Sequence, residues 1–340
     1  MKATIAQARE MAAQLLQMEG LSPDRAHTTA HAIIMAEAWG LASHGLLRLP
    51  GYVERTRAGG YPCDAEMTVV TDTGPLLSLD GGGGLGHWQL AHAAEESVKR
   101  AAEFGISAVG VGNSGHCGAL GVYALDIAER GMLGLVFSCG PAVLPPWGGD
   151  RRVLSTSPLA AGIPLPGEPA VVDLALSTVA RGKIAAYAKS GQPLPDGWAL
   201  DADGQPTNDA NVALTGLLAP LGGAKGYALA FMVEALTAGL FGSLVSAEVP
   251  DFFDGSQQDQ PQRIGHLVVT LDPEKTDAGG DPRGPERRLT DLADRVVAAG
   301  GRVPGSRRSA LKTLSDDDEL EVDTTLWAEL SSMRNGAPRT

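Results

Sequence analysis

Apolar residues recur along the chain with a helical spacing in some stretches and an alternating spacing in others. Residues 3–18 form the first helical stretch, with five apolar side chains near one face: Ile5, Met11, Ala12, Leu15 and Leu16. Ser22 and Pro23 then supply the N-cap and first-turn proline of a second predicted helix that ends near Trp39. Because periods of about 3.6 and 2 residues distinguish helices from strands, both kinds of element are expected.

The rest of the chain alternates between strand-like and helix-like stretches, with no internal repeat and no flexible linker. Apolar runs predict strands at 68–80, 106–111, 132–137, 171–175 and 265–271. Helical patterns predict helices at 88–104, 119–130, 227–240, 291–299 and 326–333. The sequence therefore predicts a mixed α/β protein, and residues 191–204, rich in Pro, Asp and Gly, predict a surface excursion.

Composition limits the classes of partner. The 340 residues are 44% hydrophobic and carry a net charge of −13, which argues against nucleic acid or an anionic membrane as the main partner. No window approaches the roughly 20 apolar residues of a membrane span, and the N-terminus has no cleavage signal. Cys63, Cys117 and Cys139 are odd in number and widely spaced, so no disulfide framework or zinc ribbon is implied. We expect a cytoplasmic protein.

Two glycine-rich segments match the spacing G-x-G-x-x-G, at Gly110, Gly112 and Gly115 and at Gly81, Gly83 and Gly86. A Rossmann dinucleotide site also needs an acidic residue about 20 positions further on, at the end of the next strand. Neither segment has it: the strand after the first match ends at Cys139 and Gly140, and the strand after the second ends at Asn113. An ordinary Rossmann dehydrogenase is therefore the less favoured alternative.

The candidate chemistry begins with Ser43, His44 and Arg48. If residues 42–49 are helical and end at Pro50, His44 and Arg48 share a face at i, i+4. A histidine can donate a proton near neutral pH, and an arginine can hold a carboxylate with two parallel bonds. The alternative is a helix end that carries solvated polar residues. His27 and His31 also have i, i+4 spacing, but without a third ligand they indicate a solvated helix face.

Two glycine turns and several cations could hold an anionic ligand. His116 lies in the turn after strand 106–111, where glycines let backbone N–H groups approach a ligand. Asp173 ends a strand with Arg181 and Lys183 close behind it, although capping alone would also explain it. Glycines precede Lys225 at a helix start without a P-loop serine or threonine. Arg302, Arg307 and Arg308 surround a Pro-Gly turn that could bind a 2′-phosphate, or that could be a solvated basic loop.

Eight blocks together resemble the malate/L-lactate dehydrogenase family that differs from the Rossmann-type lactate and malate dehydrogenases. They cover Ser43 to Arg308 in order: SHGLLRLPGY, NSGHCGALGVY, PPWGG, STSPLAAGIP, VVDLALSTVARGK, LPDGWALDADGQPT, APLGGAKGYALAFMVEALTAGLFG and RVPGSRR. The family includes ureidoglycolate, sulfolactate and diketogulonate dehydrogenases. It also includes the Δ1-piperideine-2-carboxylate/Δ1-pyrroline-2-carboxylate reductases, which this chain resembles most through Ala-Arg-Gly and Arg-x-Pro-Gly-x-Arg-Arg.

The resemblance implies a fold, an assembly and a cofactor. It implies a non-Rossmann NAD(P)-binding domain around a largely antiparallel sheet, with flanking helical segments from both termini, in a homodimer. Residues 1–65 would carry substrate and dimer contacts, 66–300 would form the nicotinamide-binding and catalytic core, and 301–340 would supply a cofactor loop and a helix that packs with the N-terminus. NADP is the preferred cofactor over NAD, because Arg307 and Arg308 suit a 2′-phosphate.

The resemblance also assigns roles to single residues. Ser43 and His44 would handle the proton and Arg48 would hold the carboxylate of a small anionic substrate, with a nicotinamide ring between that pair and His116. In some branches the histidine at the His116 position is itself the acid/base. Thr156, Arg181 and Gly182 would contact substrate. The segments expected to hold the cofactor are His116, Cys117, Gly118, Ala119 and Leu120; Asp173, Leu174 and Ala175; Ala224 and Lys225; and Arg302, Val303, Pro304, Gly305, Ser306, Arg307 and Arg308.

Three positions depart from the family pattern. Ser157 replaces an asparagine of G-T-N-P, Cys117 replaces the phenylalanine of H-F-G, and Lys183 stands where the imine-reductase branch has an acidic relay residue. We therefore expect hydride transfer at C2 of a small 2-oxo or 2-hydroxy acid or of a cyclic 2-imino carboxylate, with Lys183 as the replaced relay position. The alternatives are a malate/lactate-type 2-hydroxy acid dehydrogenase and a non-catalytic nucleotide-binding relative.

Overall fold

The two ends of the chain fold together. In a computed structural model that describes residues 1–252, 254–277, 279, 282–306 and 314–336, strand β1 (Lys2–Thr4) pairs antiparallel with β12 (Glu319–Glu321). Helices α1 (Ile5–Met18), α2 (Pro23–Ala38) and α3 (Leu49–Arg57) share an apolar core with α10 (Thr324–Arg334). Thr4 and Gln7 cap α1 reciprocally, as a capping box requires.

A seven-stranded sheet forms the centre of the molecule, in the order β2-β3-β4-β11-β5-β6-β7. Only β3 and β4 run parallel, and every other neighbouring pair is antiparallel. The expected largely antiparallel sheet is therefore confirmed. The strands are β2 (Thr68–Asp72), β3 (Leu76–Asp80), β4 (Ile106–Ser114), β5 (Leu133–Ser138), β6 (Leu159–Ile163), β7 (Ala170–Leu174) and β11 (Ile264–Leu271).

Helices cover both faces of the sheet, because its strands alternate two sets of apolar side chains. Val109, Val136 and Val268 face α4 (Gly86–Phe104) and α5 (Leu120–Glu129). Phe137 and Leu267 face the opposite layer. That layer contains α6 (Arg181–Ser190), β8 (Ala199–Leu200), β9 (Pro206–Thr207), α7 (Ala210–Thr215), β10 (Leu217–Leu218) and α8 (Ala224–Glu234), which continues into a π-helical turn at Ala235–Gly239.

The glycines of the first G-x-G-x-x-G match serve packing. Strand β11 lies between β4 and β5 and runs antiparallel to both, so the parallel pair that a Rossmann site needs is not formed. A Cβ at Gly110 would overlap the Phe241 ring, and one at Gly112 would overlap the Phe241 carbonyl oxygen. These glycines let the segment after α8 approach the sheet, which explains why the acidic partner was missing.

Several predicted boundaries were short. The helix predicted at 291–299 begins earlier, as α9 (Gly284–Ala298), and β4 continues to Ser114, three residues beyond its predicted end. None of the helices in the described part of the chain combines the length and apolar character that a bilayer crossing requires.

Candidate active site

Five strands begin or end along one border of the sheet, which runs across the strands and is called the edge of the site below. In the strand registers, Ser114 lies beside Ile264, His266 beside Ser138, and Leu159 beside both Phe137 and Leu174. The turns that leave these positions therefore emerge together. They carry His116 after β4, Thr156 just before β6, and the segment from Asp173 to Ala175 at the end of β7.

The segment with Ser43, His44 and Arg48 covers this edge, but it is not the predicted α-helix. It forms two consecutive 3₁₀ turns, Ala42–His44 and Leu46–Arg48, separated by Gly45. The Glu37 carboxylate of α2 occupies the space that a Cβ at Gly45 would need, and it accepts the Leu46 N–H at 2.8 Å. This contact with Glu37 stabilises the interruption between the two turns. The local sequence pattern does not show such a contact with another helix.

Pro50 begins a helix and does not end one. It occupies the first turn of α3, where the missing N–H removes no hydrogen bond. The helix that follows places Tyr52, which is fully buried, next to the histidine turn. The prediction that Pro50 closes the element was wrong, because a proline is as well suited to the first turn of a helix as to the position after its end.

The two candidate histidines meet. The His44 and His116 rings stack with centroids 5.8 Å apart and planes inclined by 22°. The Ser43 hydroxyl lies 2.9 Å from Nδ1 of His44. A nicotinamide ring between the imidazoles would need about 7 Å, twice an aromatic contact distance of about 3.5 Å. The two rings are closer than this in the structure, and the placement of the nicotinamide between the early segment and His116 stays a prediction.

Both histidines keep Nε2 available. Within the described part of the chain, Nε2 of His44 and Nε2 of His116 have no protein partner, and neither atom is enclosed. Burial, followed by the charge of Arg48, lowers the pKa of His44 to about 4. Burial, followed by the charge of His44, holds the pKa of His116 well below its usual value. Both imidazoles are therefore neutral at neutral pH before any ligand binds.

Arg48 is oriented from two sides. Its Nε donates to the Ser43 carbonyl at 3.0 Å, and its guanidinium carbon lies 4.9 Å from the centre of the Phe252 ring. Burial is the first cause of a lowered pKa for Arg48, and the nearby Asp251 charge opposes it. A partly desolvated guanidinium beside an open imidazole is suited to a carboxylate ligand.

Arg181 joins the same region through Asp251. A guanidinium nitrogen of Arg181 lies 3.5 Å from the Asp251 carboxylate, and Asp251 precedes Phe252 in the chain. The Phe252 ring contacts both Tyr52 and His116. The two predicted substrate arginines thus border one short segment. Gly182, next to Arg181, is exposed at the start of α6.

Thr156 lies in a strained turn at the sheet edge. Its carbonyl accepts the Leu176 N–H at 2.8 Å, which ties it to the segment after β7. The next residue, Ser157, has φ +41°, and the Ser155 hydroxyl accepts its N–H at 2.9 Å. Asparagine tolerates left-handed backbone better than serine does, so the departure from the family asparagine falls where conformation matters. The Ser155 hydroxyl stabilises the turn in this chain.

Two of the segments expected to hold the cofactor lie close together, the turn after β4 and the end of β7. A Cβ at Gly121 would come 2.8 Å from the Asp173 carboxylate, so the start of α5 contacts the end of β7. Gly118 has φ +74°, whereas Cys117, Ala119 and Leu120 are buried. Leu174 and Ala175 are exposed at the same edge. A glycine-lined helix start with a half-buried aspartate beside it fits a dinucleotide.

The remaining cofactor candidates border β7 and α8. Ala224 and Lys225 are exposed at the first turn of α8. The backbone N–H of Leu221, just before them, donates to the Leu176 carbonyl. The Pro304 carbonyl accepts the Val171 N–H at 3.0 Å. Arg302, Val303, Pro304, Gly305 and Ser306 therefore follow the outer edge of the sheet. Arg307 and Arg308 lie outside the described residues.

Lys183 stands apart from the paired histidines. Its ammonium lies 4.8 Å from the centre of the Trp198 ring, in a cation–π contact within the layer that contains α6, α7 and α8. Cys117, the second departure, is buried, and burial raises the pKa of its thiol to about 12. The thiol is therefore protonated and inert.

Sequence reasoning missed three residues that complete the site. Tyr52 follows Arg48 by four residues, a helical spacing that could have found it, and its hydroxyl lies 2.8 Å from Nδ1 of His116. Asp251 and Phe252 come from a distant loop with no local signal. Among the described residues, no three His, Cys, Asp or Glu side chains are placed to hold a metal. His27 and His31 are exposed on α2, as the pattern indicated.

Paired, neutral imidazoles beside an arginine can transfer a proton next to an anionic group. The family model described as malate/L-lactate dehydrogenase matches residues 3–331. The chain belongs to this family of dehydrogenases, which confirms the expected family and the expected class of enzyme, an oxidoreductase.

Three relatives illustrate the family. The (2R)-3-sulfolactate dehydrogenase (NADP(+)) of Chromohalobacter salexigens is 38% identical over 329 residues, 96% of each chain. The Δ1-pyrroline-2-carboxylate/Δ1-piperideine-2-carboxylate reductase of Pseudomonas aeruginosa is 33% identical, over 97% of this chain and 98% of the relative. The crystal structure of Δ1-piperideine-2-carboxylate reductase from Pseudomonas syringae pvar. tomato superposes with a TM-score of 0.88 at 29% identity, covering 98% of this chain and 99% of that one.

Proposed function

We propose that this enzyme transfers hydride between NADPH and C2 of a small 2-oxo or 2-hydroxy acid or of a cyclic 2-imino carboxylate. One observation carries the proposal: the Ser43–His44 pair, with Nε2 open, stacks on His116 beside the oriented guanidinium of Arg48. The names of the relatives support the substrate class and the phosphorylated cofactor, since they include an NADP(+)-dependent sulfolactate dehydrogenase and imino-acid reductases.

His44 moves the proton at Nε2. When bound, the nicotinamide supplies or accepts the hydride, and reduction leaves negative charge on the C2 oxygen or nitrogen. A positioned acid lowers that barrier, typically by about 10²–10⁴-fold in rate, and the same group serves as the base in oxidation. The Ser43 hydroxyl can accept a hydrogen bond from Nδ1–H both before and after Nε2 loses its proton, because the neutral ring then keeps its remaining proton on Nδ1. His44 therefore has a partner in both states.

Arg48 holds the substrate carboxylate. The Ser43 carbonyl on Nε and the Phe252 ring fix the plane of its guanidinium, so it can present a fork to two carboxylate oxygens. Thr156 and the Arg181–Gly182 pair are proposed to complete the substrate contacts. Fixing the carboxylate fixes C2, and orientation of this kind contributes much of the rate of two-substrate reactions. Lys183 is retained as the relay candidate on the resemblance alone.

The cofactor is proposed to lie along the end of β7. The turn from His116 to Leu120, the segment from Asp173 to Ala175, and Ala224 with Lys225 would bind it, and residues 302–308 would receive the 2′-phosphate. A comparison of kcat/KM for NADPH and NADH tests the preference. Equal values, or a preference for NADH, would reject the assignment of the 302–308 loop to the phosphate.

We further propose a cytoplasmic homodimer with the three segments 1–65, 66–300 and 301–340. The free thiols of Cys63, Cys117 and Cys139 are consistent with a reducing compartment. Exposed large apolar side chains concentrate between residues 221 and 245 and offer an interface: Leu221, Leu229, Phe231, Met232, Leu240 and Val245. Light scattering of the purified protein tests the assembly, and a monomer at micromolar concentration would reject the dimer.

The deciding assay follows absorbance at the NADPH band with a panel of substrates. Pyruvate, oxaloacetate, sulfopyruvate, phenylpyruvate, Δ1-pyrroline-2-carboxylate and Δ1-piperideine-2-carboxylate are offered in turn, and the corresponding hydroxy and amino acids are offered with NADP⁺. We expect turnover with at least one member of the panel. Tight NADPH binding without turnover on any of them would reject the enzyme and favour a non-catalytic nucleotide-binding protein.

A further inference from the structure

Nδ1 of His116 lies within hydrogen-bonding distance of two groups. The Tyr52 hydroxyl is 2.8 Å away, and the backbone N–H of Gly118 donates to the same atom at 3.2 Å. A backbone N–H can only donate, so Nδ1 must carry its lone pair there. The single proton of the neutral ring therefore resides on Nε2, the atom that faces the cleft, and the Tyr52 hydroxyl also donates to Nδ1.

The Gly118 N–H cannot readily turn away from His116. Gly118 has φ +74°, and a Cβ there would come 2.8 Å from Nε2 of His87. On the other side, the Tyr123 hydroxyl donates to the Cys117 carbonyl at 2.6 Å. A protonated His116 would direct a new N–H at the Gly118 N–H, so the turn disfavours the imidazolium form.

Tyr52 remains a donor at every ordinary pH. It is fully buried, and burial raises the pKa of its hydroxyl well above the usual value. Its ring packs edge-on against His87, with centroids 4.8 Å apart, so the hydroxyl is held in place. Burial, then the charges of neighbouring histidines and Arg48, lowers the pKa of His116. The titratable and charged groups around His116 are His44, Arg48, Tyr52, Tyr61, His87, Cys117 and His266.

We propose that Tyr52 is a positioning residue that, with the Gly118 N–H, holds His116 as a permanent Nε2–H donor. This inference rests on the proposed function. His116 then gives a hydrogen bond to the substrate atom that becomes charged at C2, and it does not give up its proton. The proton passes through Nε2 of His44, whose Nδ1–H stays bonded to the Ser43 hydroxyl in both protonation states. The two stacked imidazoles thereby divide acid catalysis from charge stabilisation.

The tautomer can be measured without any assay of activity. In the full-length protein with ¹⁵N-labelled histidine, long-range ¹H–¹⁵N spectra distinguish the two ring nitrogens, and a His116→Gln variant assigns the signals. We expect His116 to stay neutral, with the proton on Nε2, from pH 6 to pH 9. A proton on Nδ1, or titration of His116 near its ordinary pKa, would overturn the proposal, whatever the enzyme's substrate proves to be.

Tyr52→Phe removes one of the two donors. We expect the pKa of His116 to rise by about one unit, since a bond to the neutral form is lost, and kcat to fall about tenfold while KM stays within about twofold. Thr237→Val is the matched control: it deletes an equally buried hydroxyl that bonds the Val233 carbonyl, which is not part of the histidine turn. That control should leave the His116 tautomer and pKa unchanged.

Circular dichroism separates a positioning role from a folding role. If Tyr52→Phe and Thr237→Val lose similar stability and only Tyr52→Phe shifts the ¹⁵N signals of His116, the positioning role stands. If Tyr52→Phe leaves those signals in place, or if both variants move them equally, Tyr52 is structural and the proposal is wrong.

Discussion

Two histidines on neighbouring parts of the sheet show how similar environments lead to different roles. His266, on β11, is fully buried, and both of its ring nitrogens are bonded: Nδ1 to Ser138 at 2.9 Å, and Nε2 to Ser114 and the Gly115 carbonyl at 3.1 Å each. His116, one residue beyond Gly115, has two bonds on Nδ1 and, among the residues that the structure describes, none on Nε2. The closed ring supports the turn, and the open ring is available for chemistry.

His87 is a third case. It is fully buried, and neither ring nitrogen has a partner in the described part of the chain. It packs against Tyr52 and under Gly118, so it fills space beneath the site. Burial lowers the pKa of His87 to about 3 and that of His266 to about 4. A shifted pKa alone therefore does not mark a functional residue, and the open nitrogen is the better criterion.

The largest effect should come from His266→Ala. The variant leaves Ser138, Ser114 and the Gly115 carbonyl short of partners in the core, so we expect a loss of about 3 kcal/mol or more in the free energy of unfolding. Urea unfolding measures it, with Ser138→Ala, which removes one of the three partners of His266, as the control at about 1 kcal/mol. Folded His266→Ala should keep kcat within about threefold. A hundredfold loss of kcat at unchanged stability would break the comparison.

Acid should destabilise the fold through the two fully buried histidines, His87 and His266. The folded-state pKa values of His87 and His266 lie below the unfolded value of about 6.5, so the unfolded chain takes up protons first as the pH falls. Stability is full above pH 6.5 and falls toward pH 4, at up to about 1.4 kcal/mol per pH unit for each group. His87→Leu should reduce the loss between pH 6.5 and 4.5 by about 2 kcal/mol.

Urea unfolding of His87→Leu at those two pH values checks this expectation. His92→Gln, which changes an exposed histidine on the same helix, is the control. If His87→Leu and the wild type lose the same stability on acidification, His87 already binds a proton in the folded protein, and the description of a buried, neutral ring is wrong.

Arg48→Lys should raise KM for the carboxylate substrate by about tenfold or more, because lysine cannot reproduce the bidentate fork. We expect a smaller change in kcat. Arg25→Lys is a matched control, since Arg25 also lies over an aromatic ring, 4.3 Å from the centre of Trp88, but on the outer surface. Steady-state kinetics compares the two. Equal KM values in both variants would remove Arg48 from the site.

The smallest effect concerns Asp126, outside the cleft. Burial, then the charge of Glu129, raises the pKa of this carboxyl to about 7. Its stabilising contribution is full below about pH 4 and is lost as the pH rises through 7. Asp126→Asn should therefore match the wild type at about pH 4 and exceed it by about 1 kcal/mol at pH 8.5, once solvent screening is allowed for. Urea unfolding at both values tests this, and an identical difference at both would contradict it.

The local sequence was most informative where the site is local. Ser43, His44 and Arg48 lie within six residues, so their types and spacing indicated a shared surface before any fold was known. The helix predicted there was wrong because Gly45 and the distant Glu37 break it into two turns. The mid-chain turn with His116 was predictable from its glycines, although Gly110 and Gly112 proved to serve packing against Phe241.

The pairing of strands that are distant in the sequence could not be predicted. No periodicity shows that β11 inserts between β4 and β5, because hydrogen bonding between distant strands is decided by the whole core. The same limit hid Asp251 and Phe252, which reach the cleft from a loop far along the chain. His27 and His31 were correctly predicted as a solvated face, since two ligands at helical spacing without a third do not form a site.

The central claim is that His44 transfers the proton and His116 only donates a hydrogen bond. Glutamine can donate a hydrogen bond but cannot exchange a proton at these pH values, so kcat of His44→Gln and His116→Gln under saturating cofactor and substrate separates the roles. We expect His44→Gln to lose at least about two decades and His116→Gln to stay within about tenfold of the wild type. The reverse order would contradict the account.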